Sequence, residues 1–267
     1  MSAFLTPIFQ TPLHRANPVV KLVLVITMFL ITLFTYSLDF IAYQTVLLLL
    51  LLFGLTGLPP WKILVIMLPF LLVFVSSAVS MILFGKGDQL WWQWGLIRIT
   101  EESFYRGIHL GFKSVALGTE GLLFVLSTSS VSLFYALMQK ARLRPKYAYS
   151  FMASIRLLPM VWEEFKTRRE ALRIRGVRRP RGPRGYLRLV KLYGVPLLAQ
   201  SIRRAHRVAT AMESKQFDDK RSRSYYYPSV YSASDLQLAL LLAGAVAAAV
   251  LLTAAFPWFG LSDVRYH

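Results

Sequence analysis

Five long apolar runs constrain this chain more than any other feature: Val20 to Tyr36, Phe40 to Leu55, Ile63 to Phe84, Gly107 to Leu126 and Leu236 to Phe256. Each approaches or exceeds the ~20 residues a helix needs to cross a ~30 Å hydrocarbon core. A core helix of a soluble domain would carry a polar face, and these runs mostly lack one. The first run does not read as a cleaved leader, because no small-residue cleavage site precedes another long apolar segment. The expectation is an all-α integral membrane protein with about five transmembrane helices.

The remaining sequence is strongly basic. The chain has 267 residues, 55% of them hydrophobic, and a formal net charge of +18. Such apolarity and charge rarely coexist in one soluble core, and segregation resolves the conflict. Between Gln139 and Arg223 there are 23 Lys or Arg against six Asp or Glu, which is nearly the whole excess. The expected organisation is a four-span membrane domain over 1–127, a cytoplasmic region of long amphipathic helices over 128–235, and a last transmembrane helix with a short tail over 236–267. Basic residues collect on the cytoplasmic side, so Gln139 to Arg223 is expected inside. The short loops agree. Ser37 to Asp39 has no basic residue and fits outside, whereas Pro59-Pro60-Trp61-Lys62 and the N-terminal segment with Arg15 and Lys21 fit inside. Between Gly85 and Phe104 a loop is expected, with Trp91, Trp92 and Trp94 as interfacial anchors. Pro257 to His267 then falls outside.

Within the basic region, breakers separate helices. Leu133 to Lys140 reads as a short apolar helix interrupted at Arg144-Pro145. Lys146 to Ile174 follows, with Leu158, Val161 or Trp162, Phe165 and Leu172 spaced for one apolar stripe. Glu164 stands four residues before Arg168, the favourable order for a helical ion pair. Gly176 suits a left-handed helix end, and Arg173 and Arg175 suit the negative end of the helix dipole. Val177 to Gly185, rich in Arg, Pro and Gly, reads as a loop. A second helix is expected from about Pro196 to Gln216, with the stripe Leu198, Ile202, Ala205, Ala209 and Met212 opposite Arg203, Arg207, Thr210 and Ser214.

These residues carry a resemblance. Pro12-Leu13-His14-Arg15-Ala16-Asn17-Pro18-Val19-Val20-Lys21-Leu22 is similar to the start of the transmembrane T component (EcfT/CbiQ-like) of energy-coupling factor (ECF) transporters, importers of vitamins and transition-metal ions. Ser127-Thr128-Ser129 with Leu133 and Ala136-Leu137, then Leu143-Arg144-Pro145, Tyr149-Ser150-Phe151 and Arg156-Leu157-Leu158-Pro159, continue the likeness. Glu163 to Gly176, ending Ile174-Arg175-Gly176, resembles the family's first coupling helix, and Ala211-Met212-Glu213-Ser214-Lys215-Gln216-Phe217 its second signature. The likeness covers nearly the whole chain, and it lies in the order and spacing of the motifs rather than in any one of them. It implies a bacterial or archaeal plasma-membrane protein with two cytoplasmic ABC ATPase subunits as partners. Arg175 with Gly176, and Ser214 with Lys215, would dock on them. A small membrane substrate-binding (S) subunit is the third implied partner, and Leu198, Ile202, Ala205 and Met212 would pack on it or on the other coupling helix. The second signature departs from the family's small residue, Arg and Gly. Lys215 keeps the charge without the planar fork, and Gln216 removes the easy left-handed helix end.

Other classes are weaker. No Gly-x-x-x-x-Gly-Lys-Ser/Thr loop is present, nor a His-Glu-x-x-His helix or a Gly-x-Ser-x-Gly turn, so no cofactor, metal or catalytic residue is assigned. With no cysteine there is no disulfide framework or thiolate site, and the four histidines show no ligand spacing. His109, Lys113 and Glu120 share one face of the fourth span, and ionisable groups inside a membrane are functional candidates by default. The expectation is structural, with Lys113 pairing Glu120 and His109 near the outer boundary. The basic surface, including the Arg-rich loop to Arg184, is assigned to anionic lipid rather than nucleic acid. A membrane-embedded enzyme acting on lipid, or a membrane-surface scaffold, are the alternatives. The transported substrate is not legible, because the resemblance places its choice in another polypeptide.

Overall fold

The computed structural model describes residues 11–85, 87, 89–94, 97–176, 182–217 and 224–260. Most of the Arg-rich loop expected to face lipid, at 177–181, lies outside the described residues, as does the tail from 261 onward. The chain divides into two compact units, one formed by Met1–Ala136 with Ser229–His267 and the other by Leu137–Pro228.

The first unit holds the apolar helices. They are α1 (Pro12–Arg15), α2 (Pro18–Phe34), α3 (Leu38–Leu55), α4 (Pro60–Phe84) and, after the strands β1 (Leu90–Trp94) and β2 (Ile97–Thr100), α5 (Glu101–Ser127). Beyond α6 (Ser130–Lys140), α7 (Pro145–Ile174) and α8 (Pro183–Ser214), α9 (Ala233–Ala255) returns to this unit. Among the described residues α3, α4, α5 and α9 are long and apolar enough to cross a bilayer, and α2 is a shorter apolar helix. Leu64, Val65, Leu68 and Leu72 on α4 are exposed, as a lipid-facing surface requires. The architecture is that of an all-α, multi-pass membrane protein.

Sequence chemistry sets the helix ends. Ser37 caps α3, and reciprocal capping boxes of Thr100 with Ser103 and of Ser232 with Asp235 start α5 and α9. Residues 85–104, expected to be a loop, instead contain an antiparallel pair, with Trp92 opposite Ile99 and Gln93 opposite Arg98. Aromatic residues on β1 facing β-branched residues on β2 favour this pairing. Trp91 and Trp92 are exposed, and the Trp91 ring lies 5.7 Å from that of Phe104.

Small residues let α4 and α5 approach closely. A Cβ on Gly107 would stand 2.6 Å from Ile82, one on Gly111 would stand 2.8 Å from Phe74, and one on Gly118 would collide with the Phe70 ring. Phe70, Phe74, Ala78 and Ile82 recur every fourth residue and fill the groove these glycines leave, a ridge-into-groove arrangement.

The charged groups of the membrane unit are paired differently from the sequence expectation. Lys113 does not reach Glu120. Its Nζ donates to the carbonyls of Leu33 at 2.6 Å and Thr35 at 3.4 Å, at the C-terminal end of α2, where orphan acceptors attract a cation. Glu120 Oε1 instead accepts from Thr32 Oγ1 at 2.6 Å, and Gln44 Nε2 donates to Thr32 Oγ1 at 2.7 Å. His109 is buried within the unit.

The N-terminal motif has a structural explanation. Asn17 caps α2 through Val19 N, donates from Nδ2 to Ser229 Oγ at 2.8 Å, and its own N–H donates to Asp235 Oδ1 at 2.5 Å. Lys21 Nζ donates to the carbonyl of Ser127 at 2.9 Å, closing the end of α5. The start of α2 is thereby bound to the start of α9 and the end of α5.

Candidate partner-docking site

The second unit is built on α7 and α8. Pro145 and Pro183 each occupy the first helical turn, where the missing N–H is no loss. The second helix therefore begins at Pro183, not near Pro196, and residues 183–185 are helical rather than loop. Pro159 and Pro196 both lie inside their helices, and the length of each helix outweighs one lost backbone bond. The helices run antiparallel. Tyr149 near the start of α7 meets Phe217 just past the end of α8, with ring centroids 5.6 Å apart, while Phe165 meets Tyr193 at 5.3 Å.

Both helices end on a left-handed residue. After α7, Arg175 N donates to Ala171 O and Gly176 N to Arg173 O, with Gly176 at φ 70°. After α8, Gln216 N donates to Glu213 O at 2.8 Å and Phe217 N to Met212 O at 3.0 Å, the pair of bonds of a Schellman end. Gln216 sits at φ 54°. The left-handed end thus persists without the glycine that adopts it easily, and the two backbone bonds and the packing of Phe217 on Tyr149 hold Gln216 there. Arg175, Gly176, Ser214 and Lys215 are all exposed. Each end presents a cation on the capping residue just past the helix, beside carbonyls that lack intrahelical partners.

Between the helices, Glu164 does not pair with Arg168 on its own helix. It pairs with Arg204 of α8, and both side chains are mostly buried, 23% and 21% exposed. Lys166 pairs with Glu163 at 3.0 Å on the surface. An open cleft of about 800 Å³ is lined by Thr167, Arg168 and Arg175 of α7 and by Gln200, Arg203 and Arg204 of α8. Of the proposed packing stripe, Leu198 is 64% exposed and Ile202 is 66% exposed; Ala205 is also exposed and Met212 half-buried. Leu197 and Arg204 of α8 line the cleft shared with α7, while Leu198, Ile202 and Ala205 are left exposed.

A bundle of lipid-facing helices with buried charges closed onto helix ends, in one chain with a basic helix pair whose cationic ends are exposed, defines an all-α, multi-pass membrane protein. The model of the family described as cobalt transport protein, CbiQ, matches residues 9–226. The chain belongs to this family, the transmembrane components of ECF-type transporters. It is 27% identical to the energy-coupling factor transporter transmembrane protein EcfT of Exiguobacterium sibiricum, over 65% of this chain and 69% of that protein. It is likewise 27% identical to the EcfT protein of Limosilactobacillus fermentum, over 59% of this chain and 62% of that one.

Proposed function

We propose that this chain is the energy-coupling membrane subunit of an ATP-driven importer, and that it hydrolyses no ATP itself. The tips Arg175-Gly176 and Ser214-Lys215 dock on two cytoplasmic ABC ATPase subunits. The exposed stripe Leu198, Ile202 and Ala205, with Met212, receives a small membrane subunit that binds a vitamin or transition-metal ion. Residues 128–235 form the cytoplasmic coupling region and 1–127 with 236–267 the membrane part. The surplus of Lys and Arg favours anionic headgroups at the membrane surface.

The observation that carries this reading is the matched pair of helix ends, each an exposed cation followed by a left-handed residue. A rigid helix transmits displacement along its axis, and a charge-assisted contact at its end resists slippage. The name of the relatives, energy-coupling factor transporter transmembrane protein, agrees with such a role.

Arg175→Glu reverses the charge at a desolvated contact, which costs several kcal/mol, on the order of 2–5. The expected result is loss of ATPase copurification and of uptake, with membrane insertion unchanged. Lys215→Glu should act in the same way and the double variant more strongly. Lys191→Glu, an exposed position of α8 away from either tip, is the control. Normal assembly and uptake by both tip variants would overturn the docking assignment.

A further inference from the structure

Glu164 and Arg204 stand at matching places on the two long helices. Arg175 follows Glu164 by eleven residues, and Lys215 follows Arg204 by eleven. At 1.5 Å per residue each tip lies ~16 Å along its own helix from the ion pair. Because α7 and α8 run antiparallel, the tips lie in opposite directions from it. The ion pair therefore occupies the midpoint between the two tips.

The chemistry of the pair suits a link that fixes an angle. Only Arg204 Nη2 and Glu164 Oε1 engage each other, and Arg204 Nη1 and Glu164 Oε2 are buried with no hydrogen-bond partner among the described residues. A buried cation and carboxylate hold each other because separation leaves each uncompensated. The neighbouring contacts, Phe165 with Tyr193 and Tyr149 with Phe217, are ring packings that tolerate sliding. Beside the pair the helices open into the wide cleft, so directional restraint at the midpoint governs how far their ends separate.

We propose that Glu164 and Arg204 are positioning residues that set the separation of the Arg175 and Lys215 tips. The relevance of that separation to transport rests on the docking reading above. The geometric inference itself does not, and it is tested on the chain alone.

The chain lacks cysteine, so spin labels can be placed without background. Labels at Arg173→Cys and Glu213→Cys sit next to the tips and leave Arg175 and Lys215 intact. Labels at Glu170→Cys and Thr210→Cys sit nearer the ion pair by equal steps. Distance distributions are measured by pulsed electron resonance on the full chain in lipid nanodiscs, without ATPase. In the parent chain both distributions should be narrow. Glu164→Gln or Arg204→Gln should widen the outer distribution roughly two-fold, as additional states become populated, and the inner one less. The exchange Glu164→Arg with Arg204→Glu should restore both widths. An outer distribution unchanged by either single variant would overturn the inference. Equal widening at both label pairs would also overturn it, because general loosening does not grow with distance from the link. Should widening occur while Arg175→Glu leaves ATPase binding intact, the docking reading fails and the positioning role stands.

Discussion

Gln216 is the residue at which sequence preference and structure disagree most. A side chain in the left-handed region costs about 1–2 kcal/mol, and glycine escapes that cost at some loss of unfolded-state entropy. Gln216→Gly should therefore stabilise the end of α8 by roughly 1 kcal/mol. Amide exchange at positions 216 and 217 should slow about five-fold, and acceleration would refute the account of this end. His14 permits a pH test. Burial, aided by the nearby Lys21 ammonium, lowers its pKa below the ordinary 6.5, and its Nδ1 lies 2.9 Å from Thr11 Oγ1. The unfolded chain thus binds a proton first as pH falls. The stability contribution is full above pH 6.5 and declines below it, towards the lowered folded-state value. His14→Gln should flatten that part of a thermal-stability profile measured against pH. At this scale the sequence was legible where chemistry is local: Arg175 and Lys215 stand on helix ends as their flanking residues suggest. Partners distant in sequence were not, which is why Glu164 was matched with Arg168 and Lys113 with Glu120.

Elements were more legible than contacts. Hydrophobic length alone locates α2, α3, α4 and α9 to within three residues, because lipid demands continuous apolar helices; α5 starts six residues before its apolar run, at Glu101. The β1–β2 pair escaped notice because its strands are short and its tryptophans read equally well as interfacial anchors. The start of α8 was misplaced because proline weighed as a breaker at Pro196 and as a loop former at Pro183, whereas Pro183 is an N-terminal residue. The α4–α5 groove makes a paired prediction. Gly118→Ala pushes a methyl group into Phe70 and should destabilise the purified protein by about 1–3 kcal/mol. Gly121→Ala meets nothing within 4 Å and should be neutral or stabilising by up to ~1 kcal/mol. Thermal unfolding in one detergent compares the two, and equal melting temperatures would show that the groove is not tightly filled.

For the whole molecule, orientation is the property to test. The excess of Lys and Arg predicts that α6 and the basic unit lie inside and the β1–β2 pair outside. Gln89→Cys should react with an impermeant thiol reagent on intact cells, and Ser132→Cys should react only after lysis. The opposite pattern would invert the topology. The membrane itself must adapt to unequal helix lengths. With 17 residues, α2 spans ~25 Å, and it ends where Lys113 gathers its last carbonyls; α4, with 25 residues, reaches ~37 Å. One side of the bundle is thus shorter than the hydrocarbon layer and another is longer. Lipid beside α2 has to thin, and lipid beside α4 has to thicken or let that helix tilt. Helices of one bundle thus call for different local bilayer thicknesses.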